Sequence, residues 1–307
     1  MMANRVTLPM LQQQLLAGLS ALQSQLQQTQ SQMTTGYRIS FPSQDPGSSQ
    51  LILQYNGAIA QMQGWQQNAQ TAVSTLQATD GSVGELQQVL QRARTLAIQG
   101  ENGAMTATDQ AALANEMRQL YQQAVTIANT TFGDQYLFGG TSFFGAGERG
   151  PAQPSAGDLS PVVWSGNGKE VMLATGSSTQ LASTANGQDV FDVTGTSSKL
   201  LDALYSAYQA LENGDATALG DATAQLDQEA AHLSAARARI GAQQNQAQAT
   251  SDMLAAAVAT YTDRLHQLAD TDMAQAITTL NLNQTVYQAA LATGARMMLP
   301  SLADYLA

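Results

Sequence analysis

The sequence predicts a mainly α protein: an elongated rod of long helices with terminal coiled-coil helices and a small β-rich inserted domain. Only 11% of the 307 residues are charged and 6% are aromatic, and the abundant Ala, Gln, Ser, Thr and Leu suit long helices packed on one another. Apolar residues also recur at three- and four-residue steps near both ends of the chain. A stretch rich in Gly, Ser, Thr and Pro separates the two helical parts.

A first helix is predicted from Leu8 onward. Its apolar positions form one narrow stripe separated mostly by glutamine and serine: Leu11, Leu15, Leu19, Leu22, Leu26 and Met33. A stripe this narrow cannot form a core alone, so we expect a partner helix along its length, as in a coiled coil.

The other end of the chain offers that partner. Its heptad-like seam consists of Met273, Ile277, Leu280, Gln284, Tyr287, Leu291, Gly294 and Met298. Gln284 and Gly294 weaken this seam, and Gly18 weakens the first helix, so either segment alone should be marginal in water. We therefore expect both terminal segments to be disordered in the monomer and helical once assembled.

A long helix is predicted to begin at Asp45 and Pro46, because the carboxylate can accept free amide groups while proline occupies the first turn. It should run to a break at Gly100 and Gly103, about 55 residues or roughly 80 Å at 1.5 Å per residue. Thr106 and Asp109 are typical of a capping box that starts a companion helix.

The middle of the chain, residues 131–197, predicts a β-rich insertion with strand-like runs at 136–138, 162–164, 171–173 and 190–193. Helical periodicity returns at Leu201, breaks at Asn213 and Gly214, and continues to Leu268. This order predicts chain ends that meet at one pole and an insert at the other. The domains expected are a terminal coiled-coil assembly domain (1–42 and 271–307), a long-helix bundle core (43–140 and 198–270) and an outer β-rich insert (141–197).

Charge and composition exclude several classes of partner. The net charge is −11 and there are only two lysines, so no basic face is available for nucleic acid or for an anionic membrane surface. With no cysteine, disulfides and thiolate metal sites are excluded. Glutamines 12–14 interrupt the apolar run that a signal peptide would need, and no stretch is long and apolar enough to insert in a membrane.

Motifs that suggest chemistry have simpler explanations. Gly145, Gly147 and Gly150 fit G-x-G-x-x-G, but no helix pattern follows them, which favours a loop. His232 and His266 lack a paired metal-ligand spacing and are expected to be ordinary helix-surface or interface residues. Acidic residues at 270 and 272 are typical of a helix start. We therefore predict no catalytic, metal or cofactor site, and no enzyme.

Several segments resemble the bacterial flagellin-like family of flagellar axial proteins. One is TTGYRISFPSQDPGSSQ at 34–50, where the Asp-Pro step leans toward the hook-associated branch of that family. Others are the helix from Asn68 to Gly103 and the C-terminal segment that ends with SLADYL at 301–306. The segment ANTTFGDQYLFGGT at 128–141 is similar to the family's passage from the helical core into its variable β domain.

The resemblance implies a flagellin-like fold and a structural role in the bacterial flagellum. The chain would be extracellular, exported by the flagellar type III apparatus without a cleaved signal peptide, with an export chaperone holding its C-terminal segment. It would self-associate as the ring of the hook-filament junction, between the other hook-filament junction protein and flagellin or the filament cap. The alternatives are a flagellin filament subunit and a secreted coiled-coil effector or adhesin.

The same resemblance and the two seams predict a set of assembly and partner-interface residues, in which Arg92 and Arg94 face a neighbouring subunit or helix. The set is Leu11, Leu15, Leu22, Leu26, Gly36, Arg38, Ile39, Asp45, Pro46, Asn68, Arg92, Arg94, Ile277, Leu280, Gln284, Tyr287, Leu291, Leu302 and Tyr305.

Overall fold

Helices dominate the computed structural model, which describes residues 8–102, 105–142, 150–154 and 161–298. The helices of this described part are α1 (Leu8–Thr35), α2 (Pro46–Gly100), α3 (Ala107–Ala128), α4 (Gly187–Val190), α5 (Lys199–Asn213), α6 (Ala216–Ala269) and α7 (Met273–Met298). The two longest contain 55 and 54 residues. A mainly α fold with long helices and a small β-rich region is therefore confirmed.

The strands are short and lie between α3 and α5. They are β1 (Thr131–Phe132), β2 (Gln135–Tyr136), β3 (Ala152–Pro154), β4 (Val162–Trp164), β5 (Met172–Ala174), β6 (Gln180–Ala182), β7 (Val193–Thr194) and β8 (Ser197–Ser198). The strands β1 and β2 form a hairpin, as do β5 and β6, and a four-stranded antiparallel sheet has the order β3-β4-β8-β7.

The predicted strand at 190–193 is wrong in its first part. Val190 is instead the last residue of α4. This single helical turn forms because the Asn186 side chain accepts a hydrogen bond from the Gln188 amide and caps its start. A β-branched, aromatic pattern favours a strand on average, but a local cap overrides it here.

Side chains at the helix ends explain why the helices begin and end where they do. The Asp45 carboxylate accepts the Ser48 amide at 3.0 Å at the start of α2. Thr106 and Asp109 form the reciprocal capping box of α3. Gly214 ends α5 in the left-handed region at φ 65°, which costs glycine little. These sequence-predicted boundaries are confirmed.

The chain divides into two compact units, with residues 1–60 and 258–307 in unit 1 and residues 61–257 in unit 2. Both α2 and α6 contribute residues to each unit. The three-part domain division predicted from the sequence is a different partition and stays a prediction.

Unit 2 contains nearly all of the buried apolar side chains. Its helical core is centred on α2, α3, α5 and α6, with Leu86, Met117 and Leu204 fully buried. The insert continues that core through aromatic contacts: the Phe191 ring lies 5.2 Å from that of Phe138 and 5.1 Å from that of Trp164, between ring centroids.

Unit 1 is built differently. The helices α1 and α7 pack along each other, but the only buried apolar side chains among its described residues are the small ones of Ala269 and Ala276. Within the described part of the chain, no helix has the length and apolar content needed to cross a membrane.

Candidate assembly surface

A joint in unit 1 ties the segment after α1 to the junction of α6 and α7. The backbone amide of Arg38 donates to the Ala269 carbonyl at 2.7 Å, and the amide of Thr271 donates to the Gly36 carbonyl at 2.8 Å. The Arg38 guanidinium adds a bond to the Leu268 carbonyl at 3.1 Å. Residues that the family resemblance singled out are thus held against residues more than 200 positions later in the chain.

Gly36 permits this joint. It ends α1 at φ +75°, a left-handed conformation that strains residues with a Cβ atom. The turn that follows places Arg38 3.7 Å from the Asp45 carboxylate. Hydrogen bonds from Ser48, and to a smaller extent the Arg38 charge, hold the pKa of Asp45 below its usual value. Asp45 therefore stays ionised and caps α2, while Pro46 occupies its first turn.

Along α1 the predicted stripe faces α7. The side chains of Leu15, Leu19, Leu22 and Leu26 are half-buried, and Thr29 extends the same line as a buried residue. Steps of four and three residues relate all five positions, as a heptad requires.

The predicted seam of α7 is wrong in part. The half-buried and buried line of this helix runs through Ala276, Leu280, Asn283, Tyr287, Ala290 and Gly294. Ile277, Gln284 and Leu291 are exposed instead. The reason is packing: the small residues let α7 approach α1 closely, so that a Cβ atom built on Gly294 would lie 2.7 Å from Leu15 Cδ2.

Asn283 is the polar residue of this seam. Its side chain is 8% exposed, and its amide nitrogen has no hydrogen-bond partner among the described residues. A buried donor without an acceptor costs about 1–3 kcal/mol. The helix pair therefore forms at a cost in its own stability.

Large apolar side chains that the seam does not use remain exposed on α7. They are Met273, Ile277, Leu282, Val286 and Leu291, each between 42% and 62% exposed. At 3.6 residues per turn, Met273, Ile277 and Leu291 lie on one side of the seam, and Leu282 and Val286 lie on the other side. We call the two groups together the α7 apolar face. Unit 1 also exposes Leu16 on α1 and Leu53 on α2. Large exposed apolar side chains on both sides of a paired helix are typical of a surface that other proteins cover.

The predicted residues of unit 2 make contacts within the chain. The Asn68 side-chain amide donates to the Ala174 carbonyl at 2.7 Å and so attaches the β5 hairpin to α2. Arg92 pairs with Glu116 on α3 at 2.6 Å, and Arg94 pairs with Asp227 on α6. Both arginines face a neighbouring helix, and each side chain remains half exposed.

The sequence did not predict a further ion pair, which joins Asp80 on α2 to Arg237 on α6. The Arg237 guanidinium binds both carboxylate oxygens of Asp80, at 2.8 and 3.0 Å, and also donates to the Gln87 side chain at 2.7 Å. The hydrogen bond from Arg237 lowers the pKa of Asp80. The i, i+7 spacing of Asp80 and Gln87 on one face of α2 was the available signal.

The two histidines differ from each other. His266 is exposed, and its Nδ1 lies 2.9 Å from the Asp270 carboxylate one turn later, as expected of a helix-surface residue. His232 is half-buried on α6, and its Nδ1 atom is buried and has no partner among the described residues. It lies beside Glu229, whose pKa is raised to about 7 by burial and, to a lesser extent, by the Asp192 charge.

The described part of the chain does not include three of the predicted interface side chains or most of one motif. Leu302 and Tyr305 lie beyond the described residues, as does most of the glycine motif at 145–150, and the side chain of Leu11 is not among the described ones. The remaining predicted residues are all placed, and their role in contacts with other subunits stays a prediction.

Comparison with known families decides where the chain belongs. Residues 6–142 match the bacterial flagellin N-terminal helical region, and residues 223–306 match the bacterial flagellin C-terminal helical region. The chain belongs to the bacterial flagellin family. In this flagellin-family chain, the two matched regions contain the joint, the α1–α7 seam and the α7 apolar face.

Individual relatives include both filament and hook-associated proteins. A flagellin of Clostridium tyrobutyricum is 34% identical over 110 residues, which is 36% of this chain and 29% of that protein. Flagellar hook-associated protein 3 of Salmonella typhimurium is 27% identical over 143 residues, which is 44% of this chain and 43% of that protein. The matches thus span less than half the length of these relatives.

A solved structure described as that of a flagellar hook-associated protein from Vibrio parahaemolyticus superposes with a TM-score of 0.66. It shares 17% sequence identity, and the superposition covers 74% of this chain and all of that one. At this identity the likeness establishes a common fold.

Proposed function

We propose that this flagellin-family protein is the structural subunit of the hook-filament junction. The observation that carries the proposal is the α7 apolar face, together with the near absence of buried apolar side chains among the described residues of unit 1. A helix pair that exposes so much apolar surface gains its full burial only when neighbouring subunits cover it.

The size of this effect makes it a substantial contribution to assembly. Burying a whole Leu, Ile, Val or Met side chain is worth about 1.5–3 kcal/mol. The five side chains of the α7 apolar face are each about half exposed, so covering them supplies roughly 4–7 kcal/mol per subunit before the costs of association. Assembly therefore stabilises the same helices that are only weakly paired in the isolated chain.

The hook-associated role is favoured over a filament subunit by two observations. The fold superposes over three quarters of its length on a hook-associated protein, and the Asp45-Pro46 step leans toward the hook-associated branch. Sequence identity to flagellins supports the alternative, a filament subunit, because flagellins and hook-associated proteins share the terminal helices.

In this proposal the protein forms a ring by self-association. The other hook-filament junction protein binds on the hook side, and flagellin or the filament cap binds on the distal side. An export chaperone covers the C-terminal segment before type III export, which prevents premature assembly through the α7 apolar face. The flagellin family consists of structural proteins, and we propose no enzymatic activity.

A deletion strain tests the junction role. Cells without this protein should build hooks and release flagellin into the medium without attached filaments, and the wild-type gene should restore attachment. Normal attached filaments in the deletion strain would contradict the proposal.

The filament alternative predicts a different outcome. If the protein is a flagellin, the deletion strain should release no filament protein, and the purified protein should polymerise into long filaments by itself. A junction subunit should instead add only to the ends of hooks or filaments, which electron microscopy of labelled protein can distinguish.

A further inference from the structure

A cluster of side chains in unit 2 has the composition of a metal site. Asp192 lies two residues after the end of α4, and Glu229 and His232 are three residues apart on α6. One possible ligand atom from each of these three residues lies within 4.8 Å of the other two. All three residues belong to the same compact unit.

Glu229 supplies the evidence that the cluster is suited to a ligand. Its side chain is 6% exposed, and its Oε2 atom is buried with no hydrogen-bond partner among the described residues. His232 Nδ1, also buried, has none either. A buried carboxylate oxygen and a buried imidazole nitrogen without partners are both costly. One cation placed between them would satisfy both.

The positions of the three groups are fixed by the fold. Glu229 and His232 have the i, i+3 spacing with which a carboxylate and an imidazole on one helix bind the same ion in helical-bundle metalloproteins. Asp192 is anchored by the buried Phe191 ring before it. The Ser198 hydroxyl donates to the Phe191 carbonyl at 2.8 Å, which ties the residue before Asp192 to the end of β8.

We propose that Asp192, Glu229 and His232 bind one divalent transition-metal ion of the zinc class. Two carboxylates and one imidazole are ligands that Zn²⁺ accepts, whereas Ca²⁺ and Mg²⁺ prefer oxygen ligands alone. With ligand distances of about 2.0–2.2 Å, binding would bring the three atoms to about 3.3 Å from one another. A water molecule would complete four-coordination.

Lys199 is the natural competitor of the ion. Its Nζ atom lies 2.8 Å from Asp192 Oδ2, and its side chain is 56% exposed. A long exposed lysine can leave at little cost because its ammonium group is readily solvated. The Asp192 side chain is itself 26% exposed, so the cluster has a route to solvent. Binding would connect the turn after α4 to α6 and stabilise the insert against the helical core.

Zn²⁺ titration of the full-length, chelator-stripped protein tests the site. Calorimetry should show one bound equivalent, and added Zn²⁺ should raise the melting temperature of the protein. Substituted Co²⁺ should show the visible absorption of a low-symmetry site. Since losing even an outer-shell partner of a metal typically costs about 10–100-fold in affinity, Glu229→Gln and His232→Gln should each weaken binding at least tenfold.

Two further variants separate this site from adventitious binding. Lys199→Met removes the competing cation and should strengthen Zn²⁺ binding. His266→Gln removes the other histidine, which has only the exposed Asp270 beside it, and should leave binding unchanged. Glu229→Gln keeps the shape of the buried side chain, so its melting curve without Zn²⁺ shows that lost binding is not lost folding.

The proposal fails if the wild-type protein binds no Zn²⁺ with at least micromolar affinity. It also fails if Zn²⁺ binds but Glu229→Gln and His232→Gln leave the affinity unchanged, or if His266→Gln weakens binding as much as they do. None of these outcomes bears on the junction role, which the deletion strain tests separately.

Discussion

Leu282 offers a direct test of the α7 apolar face. Its side chain is 62% exposed, so replacing it should leave the isolated chain nearly as stable as before. Complete burial of a leucine is worth about 1.5–3 kcal/mol, and about three fifths of that, roughly 1–2 kcal/mol, remains to be gained when a neighbouring subunit covers it. Leu282→Ala should forfeit most of this amount at each subunit contact, a factor of about 5–30 in affinity.

Leu282→Asp should be more severe, because covering an unpaired carboxylate adds a desolvation cost. The adjacent Asn281 is also exposed, and Asn281→Asp introduces the same charge without removing an apolar contact, which makes it the matched control. Expressed in the deletion strain, Leu282→Asp should abolish filament attachment and soft-agar motility, whereas Asn281→Asp should retain both. Circular dichroism should give the same melting curve for both purified variants within about 0.5 kcal/mol.

The reasoning is refuted if Leu282→Asp restores attached filaments to the wild-type level while it is exported normally. It is refuted equally if Leu282→Asp unfolds the purified monomer. That result would mean that Leu282 is buried in the isolated chain, whereas the structure leaves its side chain exposed.

Four stability predictions follow from contacts and packing within the units. The Asp80–Arg237 pair should show a coupling of about 0.5–1 kcal/mol in a double-mutant cycle at neutral pH. Because the pKa of Asp80 is lowered on folding, that coupling should be fully present above the ordinary pKa of 3.8 and be lost as the pH falls through the depressed one. Gly294→Val should destabilise the α1–α7 pair by about 1–3 kcal/mol through overpacking. Gly18→Ala, which has open space around its Cβ, should stabilise α1 by about 0.5–1 kcal/mol. Asn283→Leu should stabilise the α1–α7 pair by about 1–3 kcal/mol, because it removes a buried unpaired amide.

Denaturant unfolding monitored by circular dichroism measures all four. A coupling between residues 80 and 237 that persists at pH 2 would contradict the ionic origin of their contact. A stabilising Gly294→Val, or a destabilising Asn283→Leu, would show that α1 and α7 pair in another register.

Helix ends could be predicted from the sequence because their causes are local. A cap at Asp45, a capping box at Thr106 and a left-handed glycine at 214 each involve residues within a few positions of one another. The same holds for the fold class, since helical periodicity and the Gly-rich insert are continuous along the chain.

The seam of α7 could not be predicted in detail. Two faces of this helix, one starting at Ile277 and the other at Ala276, both have four- and three-residue spacing, and the sequence pattern favours the one with larger apolar side chains. The structure buries the smaller residues, because they let the two helices approach closely, and leaves the larger ones for other contacts. Only the partner helix distinguishes these faces.

The Asp192–Glu229–His232 cluster was missed for a related reason. The Glu-x-x-His spacing on α6 was visible in the sequence, but it is common on solvated helices. Asp192 lies 37 positions before Glu229, and it reaches α6 only because Phe191 anchors the turn that carries it. The sequence around His232 gives no indication that Asp192, from a distant loop, lies close to it.

The joint between Gly36–Arg38 and Leu268–Thr271 has a consequence for the order in which the chain folds. Its hydrogen bonds connect residues separated by 230 positions, so closing it requires nearly the whole polypeptide to be present. For a polypeptide that emerges from a ribosome or a narrow channel with its amino end leading, the segment after α1 must wait for the end of α6. The joint therefore closes late in delivery, and a product truncated before Leu268 cannot form it.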